Sequence, residues 1–173
     1  MKLQVRYANH PDDSKHYTTE ELRKHYLMEK VFEADEILLV YSHQDRIISG
    51  GVMPVTKPLP LEATDELRAK YFLERRELGI INIGGAGRVT LDGKVYNVKS
   101  KDGMYVGMGT KEVVFESVDS HNPAKFYISS CPAHTTYPTY YIDFEKANHR
   151  PCGEAKTLLS LIHISEPTRP LYI

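Results

Sequence analysis

Tryptophan is missing from this 173-residue sequence, cysteine occurs only twice, and neither charge sign prevails, since 22 Lys and Arg stand against 23 Asp and Glu. Each shortage excludes something. A chain so nearly neutral has no overall field to hold a phosphate backbone, so nucleic acid is not an expected partner. No apolar run approaches the roughly 20 residues that cross a bilayer, and Met1 to His10 carries no hydrophobic stretch of the kind a signal peptide needs. No membrane association is expected, and the cytoplasm is the expected location. Cys131 and Cys152 are too few for a disulfide framework and lack the paired spacing of a structural zinc site. Two reduced thiols are the simplest reading.

What is present describes a folded protein. The apolar fraction of 41% and charged fraction of 26% are ordinary for a soluble domain, and the length suits one continuous core with appendages. Thr18 to Lys30 predicts a short amphipathic helix: Thr18 and Glu21 have capping-box spacing, and Leu22, Tyr26 and Leu27 recur at helical intervals. Acidic Glu20 and Glu21 at its start and basic Arg23 and Lys24 further on also suit the helix dipole.

From Glu36 the pattern changes to short apolar segments broken by turn residues: EILLVY, RIISGGVMP, LGIINI, GRVTL, KVYNV, GMYVG, KEVVFES and AKFYISS. These read as strands. Asp92-Gly93 supplies the positive φ angles of a tight hairpin, and Asp102-Gly103 predicts a second turn. Between Lys57 and Arg76, a proline-containing, charged stretch leaves room for one helical turn. Close strand spacing without alternating long helices predicts a mainly β, antiparallel sandwich or barrel with a short amino-terminal helix. The expected organisation is an arm and helix over 1–35, the sandwich over 36–131 and an extended linker over 132–158. Leu159 to Pro170, LSLIHISEPTRP, resembles a translated sequencing-library adapter, so 159–173 is read as an artefactual tail and the authentic text is expected to stop near Thr157 or Leu158. The alternating Leu and Ile of that segment would otherwise suit a terminal strand.

Candidate chemistry is sparse. His10, His16, His25, His43, His121, His134, His149 and His163 form no i,i+2 or i,i+4 pair that would set two imidazoles on one face. His43 and His134 read first as turn residues and second as pocket residues. Glu74, Arg75, Arg76 and Glu77 read as a solvated or interfacial ion-pair cluster; the alternative is that Arg75 or Arg76 grips a carboxylate bidentately. Gly84-Gly85-Ala86-Gly87 lacks the Lys-Ser pair and following helix of a phosphate loop and reads as a tight turn, while Met104, Tyr105 and Met108 read as core or sheet-face residues.

The run Tyr71 to Phe115 resembles a cupin core. The longer set EKVFEADE, VYSHQDRIISGGVMP, YFLERRELGIINIGGAG, YVGMGTKEVVF and PAKFYISSCPAHTTYPT, spread over Glu29 to Thr139, is similar to the amino-terminal half of 5-keto-4-deoxyuronate isomerases. That resemblance implies two cupin-like sandwiches in one longer chain, hexamers, and interconversion of 5-keto-4-deoxyuronate and 3-deoxy-D-glycero-2,5-hexodiulosonate during breakdown of pectin-derived uronates. It also implies one zinc held by His, His, Glu and His in the second sandwich, with no counterpart of those ligands here. Where a metal-binding cupin carries its first His-x-His, Tyr71 to Glu77 has no His, and Lys111 stands near the position of the later His. A protonated lysine is not a useful zinc ligand. The expectation is therefore a structural half with no catalytic, cofactor-binding or metal-binding residue of its own, cut off before the reaction centre. The alternatives are a non-catalytic sugar-acid-binding cupin and a pure assembly domain.

Overall fold

The computed structural model describes residues 1–147. His149, Cys152, His163 and the adapter-like tail lie outside the described residues.

In chain order the elements are β1 (Lys2–Arg6), α1 (Pro11–Ser14), α2 (Thr19–Tyr26), β2 (Glu36–Ser42), β3 (Ile47–Met53), β4 (Leu59–Pro60) and β5 (Arg76–Asn82). β6 (Gly87–Leu91), β7 (Lys94–Val98), β8 (Gly103–Val106), β9 (Val113–Ser117), β10 (Phe126–Pro132) and β11 (Tyr140–Ile142) follow. They form a seven-stranded sheet in the order β1-β2-β3-β10-β5-β8-β11 and a four-stranded sheet in the order β4-β9-β6-β7. Every pairing is antiparallel except β1 with β2. This is the mainly β sandwich that the strand spacing predicts, with the cupin-like form that the resemblance implies.

Strand alternation builds the core. In β5, Leu78 and Ile80 point inward; in β10, Phe126 and Ile128 do so; Val89 of β6 and Phe115 of β9 meet them from the smaller sheet, and all are buried. Asp92 (φ 46) and Gly93 (φ 82) make the predicted hairpin between β6 and β7. The second predicted turn is displaced: Lys101 takes the left-handed backbone (φ 72), while Asp102 is buried as an anchor. Its carboxylate accepts from the Lys99 N–H at 2.9 Å, from the Phe144 N–H at 3.0 Å and from the Tyr141 hydroxyl. Burial works against ionisation there, but these donors outweigh it and hold the carboxyl below its usual range. Residues after Pro132 thus do more than connect, because β11 joins the edge of the larger sheet and is pinned to Asp102.

The segment before β2 also joins the sheet, since β1 lies along β2. The predicted helix is shorter than the apolar spacing suggests. Thr18 Oγ1 accepts from the Glu21 N–H at 3.3 Å and Glu21 Oε2 accepts from the Thr18 N–H at 2.7 Å, completing the capping box. The helix ends at Tyr26 because Leu27 turns extended, and Arg6 of β1 donates to the His25 and Leu27 carbonyls at 3.4 and 2.7 Å. A guanidinium at the negative end of the helix dipole satisfies carbonyls that have no partner within the helix. No residue of α2 is buried, so this latch does what apolar packing would otherwise do.

A similar latch closes the approach to β2. Asp35 holds a left-handed backbone (φ 57), and its carboxylate accepts from Thr56 N–H and Val55 N–H at 2.8 Å each and from the Thr56 hydroxyl at 2.7 Å. The Thr56 donors, then Val55, hold its carboxyl down at about 2 against an ordinary 3.8. A pKa depressed on folding stabilises the native state above the unfolded value, and that stabilisation is lost as pH falls through the folded one. The difference in thermal midpoint between wild type and Asp35→Asn is therefore expected to be full at pH 5, to shrink below pH 4 and to approach zero only below pH 2. A difference constant across that range would refute the assignment.

Candidate functional site

The four consecutive charges Glu74 to Glu77 enter the sheet at the start of β5, and the strand period separates them. Arg76 points into the sandwich and Glu77 points out. Arg76 is only 7% exposed. Its Nε donates to Ser130 Oγ at 3.1 Å, and its Nη2 donates to the Ser130 carbonyl at 2.8 Å and to the Arg46 carbonyl at 2.6 Å. The guanidinium carbon also lies 5.5 Å from the Tyr41 ring centre. Burial lowers the pKa of this guanidinium from its usual value. Arg75 donates to the Leu67 and Arg68 carbonyls at 3.3 and 2.8 Å, and Glu74 accepts from the Lys70 N–H at 2.8 Å. The expected ion-pair cluster does not form. Among the described residues none of the four charges takes part in a salt bridge. Both arginines instead hold backbone carbonyls.

On the outer face, three strands bring polar groups together. Register sets Cys131 of β10 beside Glu77 of β5, and Tyr105 of β8 reaches the same carboxylate. The Tyr105 hydroxyl donates to Glu77 Oε2 at 2.7 Å and the Cys131 thiol donates to Oε1 at 3.2 Å. Burial, then the Glu77 contact, pushes Tyr105 up to about 12 and raises the Cys131 thiol as well. A thiol held protonated is a poor nucleophile at neutral pH. Both Glu77 oxygens are occupied by donors, so the triad is a closed network rather than a base poised over open space.

The remaining candidates fall apart from one another. His43 is exposed and packs between the rings of Tyr7 and Tyr41, at centroid distances of 4.9 and 4.6 Å. His134 is exposed beyond β10, and His10 caps the one-turn α1 by accepting from the Asp12 N–H at 3.2 Å. Lys111 is exposed, with its N–H and that of Glu112 bound to Asp92 Oδ1. Met104 is in the core while Tyr105 lies on the sheet face. Gly84 and Gly85 do not take positive φ; a side chain at Gly85 would place Cβ 2.0 Å from the Asn122 carbonyl oxygen. Close approach of the 122–125 segment, not turn geometry, requires glycine there.

Surface clefts among the described residues include two that are wide enough for a ligand. One of about 610 Å³ lies between α2 and the β1–β2 edge, and one of about 650 Å³ is lined by residues of the 63–75 segment, including Arg68, Lys70 and Arg75. Neither adjoins a catalytic constellation. Among the described residues, no three of His, Cys, Asp or Glu gather closely enough to hold a metal ion. These residues offer no donor set for zinc, whose ligands the resemblance places in a second sandwich.

The sequence pattern of the KduI/IolB family matches residues 26–170. This chain belongs to that family. A KduI/IolB relative in Lachnoclostridium phytofermentans, named 4-deoxy-L-threo-5-hexosulose-uronate ketol-isomerase, is 55% identical over 159 residues, covering 86% of this chain and 58% of that protein. A protein of the same name in Formosa agariphila is 51% identical, covering 90% of this chain and 56% of its own length. One in Escherichia coli O157:H7 is 55% identical, covering 79% and 50%. The chain spans little more than half the length of these curated relatives. Among solved structures, a cupin protein from Bacteroides fragilis is similar at a TM-score of 0.37 and 12% identity, over 61% of this chain and 77% of that one. The fold assignment rests on the two sheets rather than on that overlap.

The Glu77, Tyr105 and Cys131 network escaped sequence reasoning. Alternation places each of the three on an outer face, but Glu77 and Cys131 are 54 residues apart and only strand pairing joins them.

Proposed function

We propose that this chain forms one sandwich of a uronate ketol-isomerase that interconverts 5-keto-4-deoxyuronate and 3-deoxy-D-glycero-2,5-hexodiulosonate in cytoplasmic pectin and uronate breakdown. Its contribution is architectural, and the zinc-dependent chemistry belongs to the other part of the whole, hexameric protein. The observation that carries this is 55% identity, over 86% of the chain, to a relative bearing that enzyme name. The local chemistry agrees with the division of labour. Moving a proton between adjacent carbons needs a base in reach of substrate and something to stabilise enediolate oxygens. Here each oxygen of the outward carboxylate already accepts from a donor, and the inward guanidinium is tied to Ser130 and to the Arg46 carbonyl. No helix among the described residues is long and apolar enough to cross a membrane.

The test is an isomerase assay on the 173-residue chain beside the full-length Lachnoclostridium relative. Turnover is expected from the relative only. Zinc-dependent turnover by the chain alone would refute the architectural role.

A further inference from the structure

The outer face of the seven-stranded sheet carries a strip that nothing in the described molecule covers. Strand register lines up Tyr127, Ile81, Gly103 and Ile142 as direct neighbours across β10, β5, β8 and β11. The adjacent row runs Ser129, Gly79, Tyr105 and Tyr140 over the same four strands. Neither row contains a charged side chain; charge resumes at Glu77 in the row beyond on one side and at Lys125, two residues before Tyr127, on the other. Tyr127 is 37% exposed, Ile142 45%, Ile81 48% and Tyr140 67%. The two glycines leave the middle of the strip low, with Ile142 Cβ 3.7 Å from where a Gly103 side chain would start.

A contiguous apolar face with tyrosines at its border and charge only at its rim has the composition of an interface centre. Solvent-facing β positions are ordinarily polar. What covers the strip follows from its place. β11 forms its outer border, and the 3-10 turn at Phe144–Lys146 is pinned beside it through Asp102, so the last of the described residues lie at this margin. The curated relatives devote more than two fifths of their length, by the 58% and 56% coverage, to polypeptide outside the match. We infer that the uncharged strip across β10, β5, β8 and β11 is the docking face for that additional polypeptide, packed as a second folded unit against the sheet. The inference rests on the reading of the chain as one part of a longer isomerase.

The experiment co-expresses the tagged 173-residue chain with the segment of the Lachnoclostridium relative that lies outside the match. Co-purification in 1:1 ratio is expected. Ile81→Lys and, separately, Tyr127→Glu should each reduce capture at least ten-fold. Val95→Lys, at a 54% exposed position on the smaller sheet, should leave it unchanged. Thermal midpoints of the chain alone should agree among all four proteins, since the replaced side chains face solvent. Absence of co-purification, or capture indifferent to both strip variants, overturns the inference. So does self-association of the chain alone that Ile81→Lys abolishes, since a second copy would then be the occupant. Capture lost in the strip variants but without isomerase turnover in the wild-type complex supports the docking face while removing the catalytic reading.

Discussion

Phe126→Ala is expected to cost about 3–5 kcal/mol of stability, enough to lower the thermal midpoint by roughly 10 °C. Phe126 is fully buried in β10, the strand that joins β3 to β5 at the centre of the larger sheet. Its ring meets Phe115 of the opposite sheet at a centroid distance of 5.1 Å and a tilt of 46°, within the favourable range for aromatic pairs. The ring also fills the space above Gly87, where an added Cβ would lie 2.5 Å from Phe126 Cζ. Ring and glycine interlock across the two sheets, so truncation opens a void that backbone pairing on both sides of β10 prevents from closing. Phe126→Leu should recover more than half of the loss. Chemical denaturation of the three proteins measures this. A loss below about 1 kcal/mol for the alanine variant would show that the sheets close the gap.

Arg76→Met should cost about 2–4 kcal/mol, because removing the guanidinium strands acceptors more than it relieves desolvation. Two opposing effects meet at this residue. Burying a cation without a carboxylate is unfavourable, and an apolar replacement would remove that penalty. Against this stand three hydrogen bonds that join β5 to β10 and to the turn at Arg46, whose backbone has a left-handed φ of 55. Without Arg76 the Ser130 hydroxyl and carbonyl lose buried donors, and the turn between β2 and β3 loses its inward tether. Arg76→Lys keeps the charge but cannot reproduce the forked geometry, so it should fall between the two. A variant with methionine that matches or exceeds wild-type stability in urea would show that desolvation wins.

Sequence patterning reveals the sandwich because each core strand carries its own alternation. EILLVY, LGIINI and AKFYISS announce inward and outward faces without knowledge of their partners, and the Asp92-Gly93 hairpin is a local event. β1, β4 and β11 escape such reading for a physical reason. They are short or lie at sheet edges, bury little, and are specified by pairing with distant strands rather than by their own pattern. The same limit governs polar groups. That Arg76 faces inward follows from its spacing to Leu78 and Ile80, but that Ser130 and the Arg46 carbonyl receive it depends on topology. A run such as ERRE looks like one cluster in the text and becomes four separate attachments in the structure. The family was legible because its motifs extend over most of Glu29 to Thr139.

The parallel pairing of β1 with β2 has a bearing on assembly order. Every other neighbouring pair in either sheet runs antiparallel, and β2 with β3 and β6 with β7 are closed by short turns. β1 must instead wait for the 29 residues between Arg6 and Glu36 to loop back, with their chain entropy lost before the strand gains its ladder. That loop is nonetheless shorter than the 43 residues between β5 and β10 or the 72 between β3 and β10, so closure entropy favours β1 joining the β2–β3 hairpin ahead of the central strand.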